Sequence, residues 1–141
     1  MYKKILVPVD GSEHSENALR HAIALAEKFG AEVVALNVAQ PISYLAPEAF
    51  LYSTEIMDKI IDFGKKLVAD CQQKFQTEKV AIKTEIATGI PADVICEKAE
   101  NEKFDLVVIG SRGLSISERI ILGSVSGRVS RNCHCPVLIV R

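Results

Sequence analysis

Residues 106–127 read LVVIGSRGLSISERIILGSVSG. The first five, Leu106–Gly110, form an unbroken, largely β-branched apolar run. A run of that kind suits a strand covered on both faces in a parallel sheet, because a half-exposed strand would alternate apolar with polar. The stretch then turns glycine- and serine-rich, with four glycines and five serines in all. From Ser124 to Asn132 helical spacing takes over. Strand, glycine-rich connection and helix in that order form the repeating unit of an α/β fold.

Working outward, further apolar runs occur at Ile5–Val9 (ILVPV), Glu32–Ala39 (EVVALNVA) and Pro136–Val140 (PVLIV). Val80–Ala87 (VAIKTEIA) instead alternates, with Val80, Ile82 and Ile86 against Lys83 and Glu85, as an edge strand does. Helical patterns separate the runs. Ser12 is a candidate N-cap, with Glu13 and Glu16 at the positive helix end; Ala18, Ala22, Ile23, Leu25, Ala26 and Phe29 make a stripe that stops at Gly30. From Ser53 or Thr54, the positions Ile56, Ile60, Phe63, Leu67, Cys71 and Phe75 recur at helical steps. Pro91 opens a third helix with Val94, Ile95 and Ala99 inward.

The alternation β-α-β-α-β-α-β-α-β predicts a single-domain α/β fold over residues 1–141: an open five-stranded parallel sheet with right-handed crossovers and helices on both faces. Placing the alternating strand at an edge and the most apolar strands inside predicts the order 3-2-1-4-5. The switch point then lies between the first and fourth strands, where open α/β sheets bind ligands at their carboxyl ends. One connection, Gln40–Tyr52, is long and carries two prolines, which suits either a flap over the crevice or a partner contact.

Composition narrows the function classes. The chain has 141 residues, 48% of them hydrophobic and 25% charged, with a formal net charge of −1. That balance gives no electrostatic footing for nonspecific binding to nucleic acid or anionic membrane. No stretch approaches the ~20 apolar residues of a membrane span, and the N-terminal run ends at Asp10 without a cleavage site, so a soluble, cytoplasmic protein is expected. Cys71, Cys96, Cys133 and Cys135 then read as reduced thiols acting as small apolar side chains. A Cys133–His134–Cys135 metal site is disfavoured by the CxC spacing, and no metal ligand set is assigned.

The opening stretch carries the chemistry. Gly110 ends a strand, while Gly123 and Ser124 precede a helix, and both ends meet at one crevice. Amides at a helix start are unpaired and carry the positive end of the dipole, and glycine lets a phosphate approach the backbone. Ser124 and Ser126 add hydroxyl donors, and Arg112 adds a mobile positive charge. Across the crevice, Asp10 is a candidate acceptor for a ribose hydroxyl or base amino group, and Val9 and Val38 offer apolar walls. A Walker A loop is excluded by the lack of lysine in the stretch, and a dinucleotide fingerprint by VDGSEHS after the first strand.

These residues resemble the ATP-binding branch of the universal stress protein family. Its motif G-x2-G-x9-G-[ST] is matched by Gly110, Gly113, Gly123 and Ser124, with Leu114 to Leu122 between, and the likeness runs from KKILVPVDGSEHS through DLVVIGSRG to CPVLIV. The resemblance implies an adenine nucleotide alpha hydrolase-like fold. It implies ATP, or ADP or AMP, with Mg²⁺, the adenine and ribose near Pro8, Val9, Asp10 and Val38. It places the phosphates near Arg112, Gly113, Gly123, Ser124, Val125 and Ser126, and includes Ile109 and Gly110 in the cofactor site. It also implies a homodimer through the last strand, Pro136 to Val140, whose apolar edge needs covering in any case.

Each residue has a plainer reading taken alone: Gly110 and Gly113 as a tight turn, Ser124 as an N-cap, Asp10 as an acceptor for helix amides, and His14 and His21 as solvent-facing or interfacial. Together, at that spacing, they point to nucleotide binding. Hydrolysis needs a positioned water and charge compensation, for which only Asp10 and Arg112 stand out, and no catalytic residue is assigned. The expectation is a nucleotide-dependent stress-response sensor or regulator with at most slow hydrolysis. The alternative is an ATP-hydrolysing or nucleotidyl-transferring enzyme.

Overall fold

The computed structural model describes residues 1–41, 53–113 and 122–141. In chain order the elements are β1 (Lys4–Pro8), α1 (Glu13–Phe29), β2 (Glu32–Ala39), α2 (Ser53–Phe75), β3 (Ile82–Thr88), α3 (Pro91–Asn101), β4 (Leu106–Gly110), α4 (Ser124–Asn132) and β5 (Val137–Val140). The five strands form one sheet in the order β3-β2-β1-β4-β5, as expected, and every pairing is parallel.

Side-chain alternation along the strands sorts the core into two layers. Ile5, Val7, Val33, Ala35 and Val108 face α1 and α2, packing with Leu19, Ala22, Leu67 and Val68. Leu6, Val34, Leu36, Val107 and Ile109 face the other way, onto Ile95 and Ala99 of α3 and Val129 of α4. All five residues of β4 are buried. Each fully buried Leu, Ile or Val contributes about 1.5–3 kcal/mol relative to exposure, so strands with two covered faces dominate the core.

Local signals set the helix ends. Ser12 caps α1 by accepting from the Ser15 amide at 3.1 Å. Gly30 ends α1 in the left-handed region at φ 68°, a conformation that costs glycine nothing. Pro91 occupies the first turn of α3, where its missing N–H goes unmissed.

Two expectations shift. The third strand starts at Ile82 rather than Val80, because Val80 is held in a turn: its amide bonds Thr77 Oγ1 at 3.0 Å and its carbonyl accepts from the Thr77 amide. On α2, Phe63 is 64% exposed, and the buried face runs through Gly64, Leu67, Val68 and Cys71. Gly64 turns that face inward because it lies directly on Asn37 of β2, leaving no room for a Cβ. Of the long connection Gln40–Tyr52, residues 42–52 lie outside the described residues. Among the described residues, no helix is long and apolar enough to cross a membrane.

Candidate functional site

A cavity of about 310 Å³ opens at the carboxyl ends of β1, β2 and β4, where the strand order reverses. The crossovers after β1 and β4 leave towards opposite faces of the sheet, which opens a gap between the two strand ends. Pro8, Val9, Asp10, Val38, Ile109, Gly110, Arg112, Gly113, Gly123, Ser124, Val125 and Ser126 all line it. Residues far apart in sequence thus converge on one crevice.

Five further lining residues, Ser15, Leu36, Asn37, Pro91 and Ile95, were not singled out as site residues by the sequence. Only Asn37 carried a visible signal, as the polar interruption in EVVALNVA. Its amide donates to the Val9 carbonyl at 2.8 Å, tying the end of β2 to the end of β1. Pro91 and Ile95 read as helix start and core, and both are so; the wall they add depends on where α3 crosses the sheet.

Asp10 is held by its own turn. One carboxylate oxygen accepts the Ser12 amide at 2.9 Å. The other faces Gly113: a Cβ there would stand 2.8 Å from Asp10 Oδ2. Gly113 therefore lets the acidic side and the glycine-rich side of the crevice approach within contact. Gly110 serves a different neighbour. A Cβ on it would meet the His14 carbonyl carbon at 2.7 Å and the His14 Cβ at 2.9 Å, so its bareness admits the first turn of α1. His14 is accordingly half-buried there, with Nδ1 enclosed and unpaired among the described residues, instead of facing solvent.

The start of α4 is built to leave donors free. Gly123, its N-cap, provides no side-chain cap, and its amide donates to the Ser111 carbonyl at 2.7 Å. The first intrahelical acceptor, the Gly123 carbonyl, takes the amide of Gly127. Among the described residues, the Ser124, Val125 and Ser126 amides have no backbone or side-chain acceptor. The Ser126 hydroxyl does not add a phosphate donor as expected, since it donates to the Ser111 carbonyl at 2.7 Å. It instead pins the helix start to the end of β4. Arg112 is half-buried, its Nε enclosed and without a hydrogen-bond partner among the described residues.

The chemistry of the cavity is thus mixed. Its lining combines apolar side chains of Val9, Leu36, Val38, Pro91 and Ile95 with the free amides at the start of α4. Asp10 and Arg112 are the ionisable lining residues among those described.

The model of the universal stress protein family matches residues 1–141. The chain belongs to this family. It is 41% identical to a universal stress protein of Methanocaldococcus jannaschii, over all of this chain and 83% of that one. Among solved structures, the universal stress protein UspA from Lactobacillus plantarum superposes with a TM-score of 0.89 at 31% identity, covering 99% of this chain and 98% of that one. A universal stress protein in complex with cAMP superposes with a TM-score of 0.66 at 27% identity, covering 99% and 97%.

Proposed function

We propose that this universal stress protein binds ATP with Mg²⁺ and works as a nucleotide-dependent sensor or regulator rather than as a fast enzyme. The observation that carries the reading is the uncapped N-terminus of α4, opening into the same cavity as Asp10 and the apolar wall of Val9 and Val38. Such a helix start attracts phosphate through unpaired amides and the dipole. A relative solved with cAMP supports an adenine nucleotide as the ligand class.

The residues present fit the nucleotide. Pro8, Val9, Val38 and Ile109 would hold the base and ribose, and Asp10 would accept from ribose hydroxyls or join the water shell of Mg²⁺. Ser124, Val125 and Ser126 would hold the phosphates chiefly through their free backbone amides, with Gly113 and Gly123 giving the phosphates room to approach. Arg112 supplies the countercharge that lysine supplies in a Walker A loop. With one carboxylate and one guanidinium in the lining, the crevice has little with which to position an attacking water and stabilise charge on a transferring phosphoryl group, so turnover is slow.

Native mass spectrometry of purified protein, followed by calorimetric titration with Mg-ATP, tests this. A retained adenine nucleotide and a measurable affinity are expected. Gly123→Val should abolish both without unfolding the domain, because φ −70° and ψ 168° at Gly123 suit any residue while the valine side chain crowds the helix start. Absence of heat from folded protein overturns the reading. Rapid ADP or AMP release in a single-turnover assay would instead favour the enzyme.

A further inference from the structure

Cys96 and Cys133 do not behave as the separate thiols expected from the sequence. Cys96 on α3 and Cys133, the residue that ends α4, are joined as a disulfide with their Cα atoms 4.8 Å apart, while Cys71 and Cys135 are free. We propose that this pair is a reversible thiol–disulfide site that fastens α3 to α4 and thereby sets how firmly the two helices hold the crevice they both line.

Position makes the pair suitable. The Cα separation lies within the range a disulfide spans without backbone movement. Both cysteines are part-exposed, so a dissolved reagent reaches them. The other two are poorly placed to compete. Cys71 is buried on the opposite face of the sheet, and burial pushes the thiols of both Cys71 and Cys135 up, which weakens them as nucleophiles.

Coupling to the crevice follows from the two helices. Cys96 succeeds Ile95, which lines the cavity with Pro91, and Cys133 closes the helix whose first turn carries Ser124 to Ser126. A helix of nine residues is about 13 Å long and moves as a rod, so a shift at its last residue tilts its first turn. Beside the apolar packing of Ile95 and Ala99 with Val129, the polar contacts near the pair are the Arg128–Asp93 ion pair at 2.8 Å and the His134–Glu100 contact at 3.6 Å, both solvent-exposed and weak in water. Oxidation therefore removes freedom that nucleotide binding would otherwise have to remove, and the oxidised protein binds more tightly.

The exchange balances with a low-molecular-weight disulfide as oxidant. One cysteine thiolate attacks a sulfur of the reagent and expels one thiolate, forming a mixed disulfide. The second cysteine loses its proton and attacks the first, expelling the other thiolate. Two protein thiols and one small disulfide thus become one protein disulfide and two small thiols. A dithiol reverses the reaction.

The coupling rests on the nucleotide reading, and the test keeps the two apart. The full chain is equilibrated across ratios of reduced to oxidised glutathione, quenched in acid and alkylated in denaturant. Four alkylated cysteines at the reducing end should fall to two in a single two-electron step, with Cys96 and Cys133 recovered as one crosslinked peptide. Four labels at every ratio, or a different pairing, overturns the site. Oxidised and reduced protein are then titrated with Mg-ATP. The oxidised form should bind about fivefold more tightly, a modest coupling of the ordinary size. Cys96→Ser should match the reduced form under both conditions. Equal affinities would overturn the coupling. No binding by either form, with the thiol step intact, would overturn the nucleotide reading and the coupling together, leaving the thiol site on the labelling alone.

Discussion

Gly110 and Gly113 stand three residues apart in one motif yet answer to different constraints, and substituting each tests the distinction. At Gly110 an added Cβ meets the backbone of α1, which cannot swing aside. Gly110→Ala is expected to destabilise the protein by about 1–3 kcal/mol, the usual cost of overpacking, read as a lowered denaturation midpoint at unchanged slope. At Gly113 the added Cβ meets the far end of the Asp10 side chain, which can rotate away. Gly113→Ala should leave the midpoint within about 0.5 kcal/mol of wild type while weakening Mg-ATP binding severalfold by displacing Asp10. If the two variants lose stability equally, the division of roles is wrong. The motif marked both residues, but only the contacts assign one to helix packing and the other to the crevice.

β5 presents an apolar edge to its surroundings. Val137 and Ile139 are only partly buried and Leu138 is 36% exposed, on a strand that pairs among the described residues with β4 alone. An apolar open edge is a template for another strand. Dimerisation through Pro136 to Val140, with the edges meeting across a two-fold axis, follows as a proposal. Leu138→Lys should convert a dimer to a monomer in sedimentation experiments without lowering helix content. A wild-type chain that sediments as a monomer at micromolar concentration would exclude that interface.

The sheet as a unit is tied at its amino-terminal end by Asp105, whose carboxylate accepts the Lys3 and Lys4 amides at 2.8 and 2.9 Å and so joins the starts of β1 and β4. Those backbone bonds, helped by the charges of Lys3 and the chain terminus and opposed by burial, hold its pKa below the ordinary 3.8. A lowered folded pKa contributes stability that is present above the unfolded value and is lost as pH falls through the folded one. Asp105→Asn should therefore cost about 1 kcal/mol near neutrality, discounted for solvent exposure, and the difference from wild type should vanish well below pH 3.8 in urea titrations followed across pH. A gap that persists in strong acid would mean the charge is irrelevant. Strand order was legible because burial on one or two faces writes itself into local alternation: five buried residues in LVVIG and an alternating third strand suffice to place centre and edge. That the twelve residues line one crevice was legible through motif spacing, strand ends and the family resemblance together. Asn37, Gly64, the Cys96–Cys133 pair and the internal use of the Ser126 hydroxyl were not. Sequence by itself determined the elements, their order in the sheet and the end where the crevice opens, because those depend on periodicity and on chain direction. Tertiary structure alone decided which polar atoms remain free and which cysteines meet, because such contacts depend on helix placement to within an ångström or two, and nothing local encodes it.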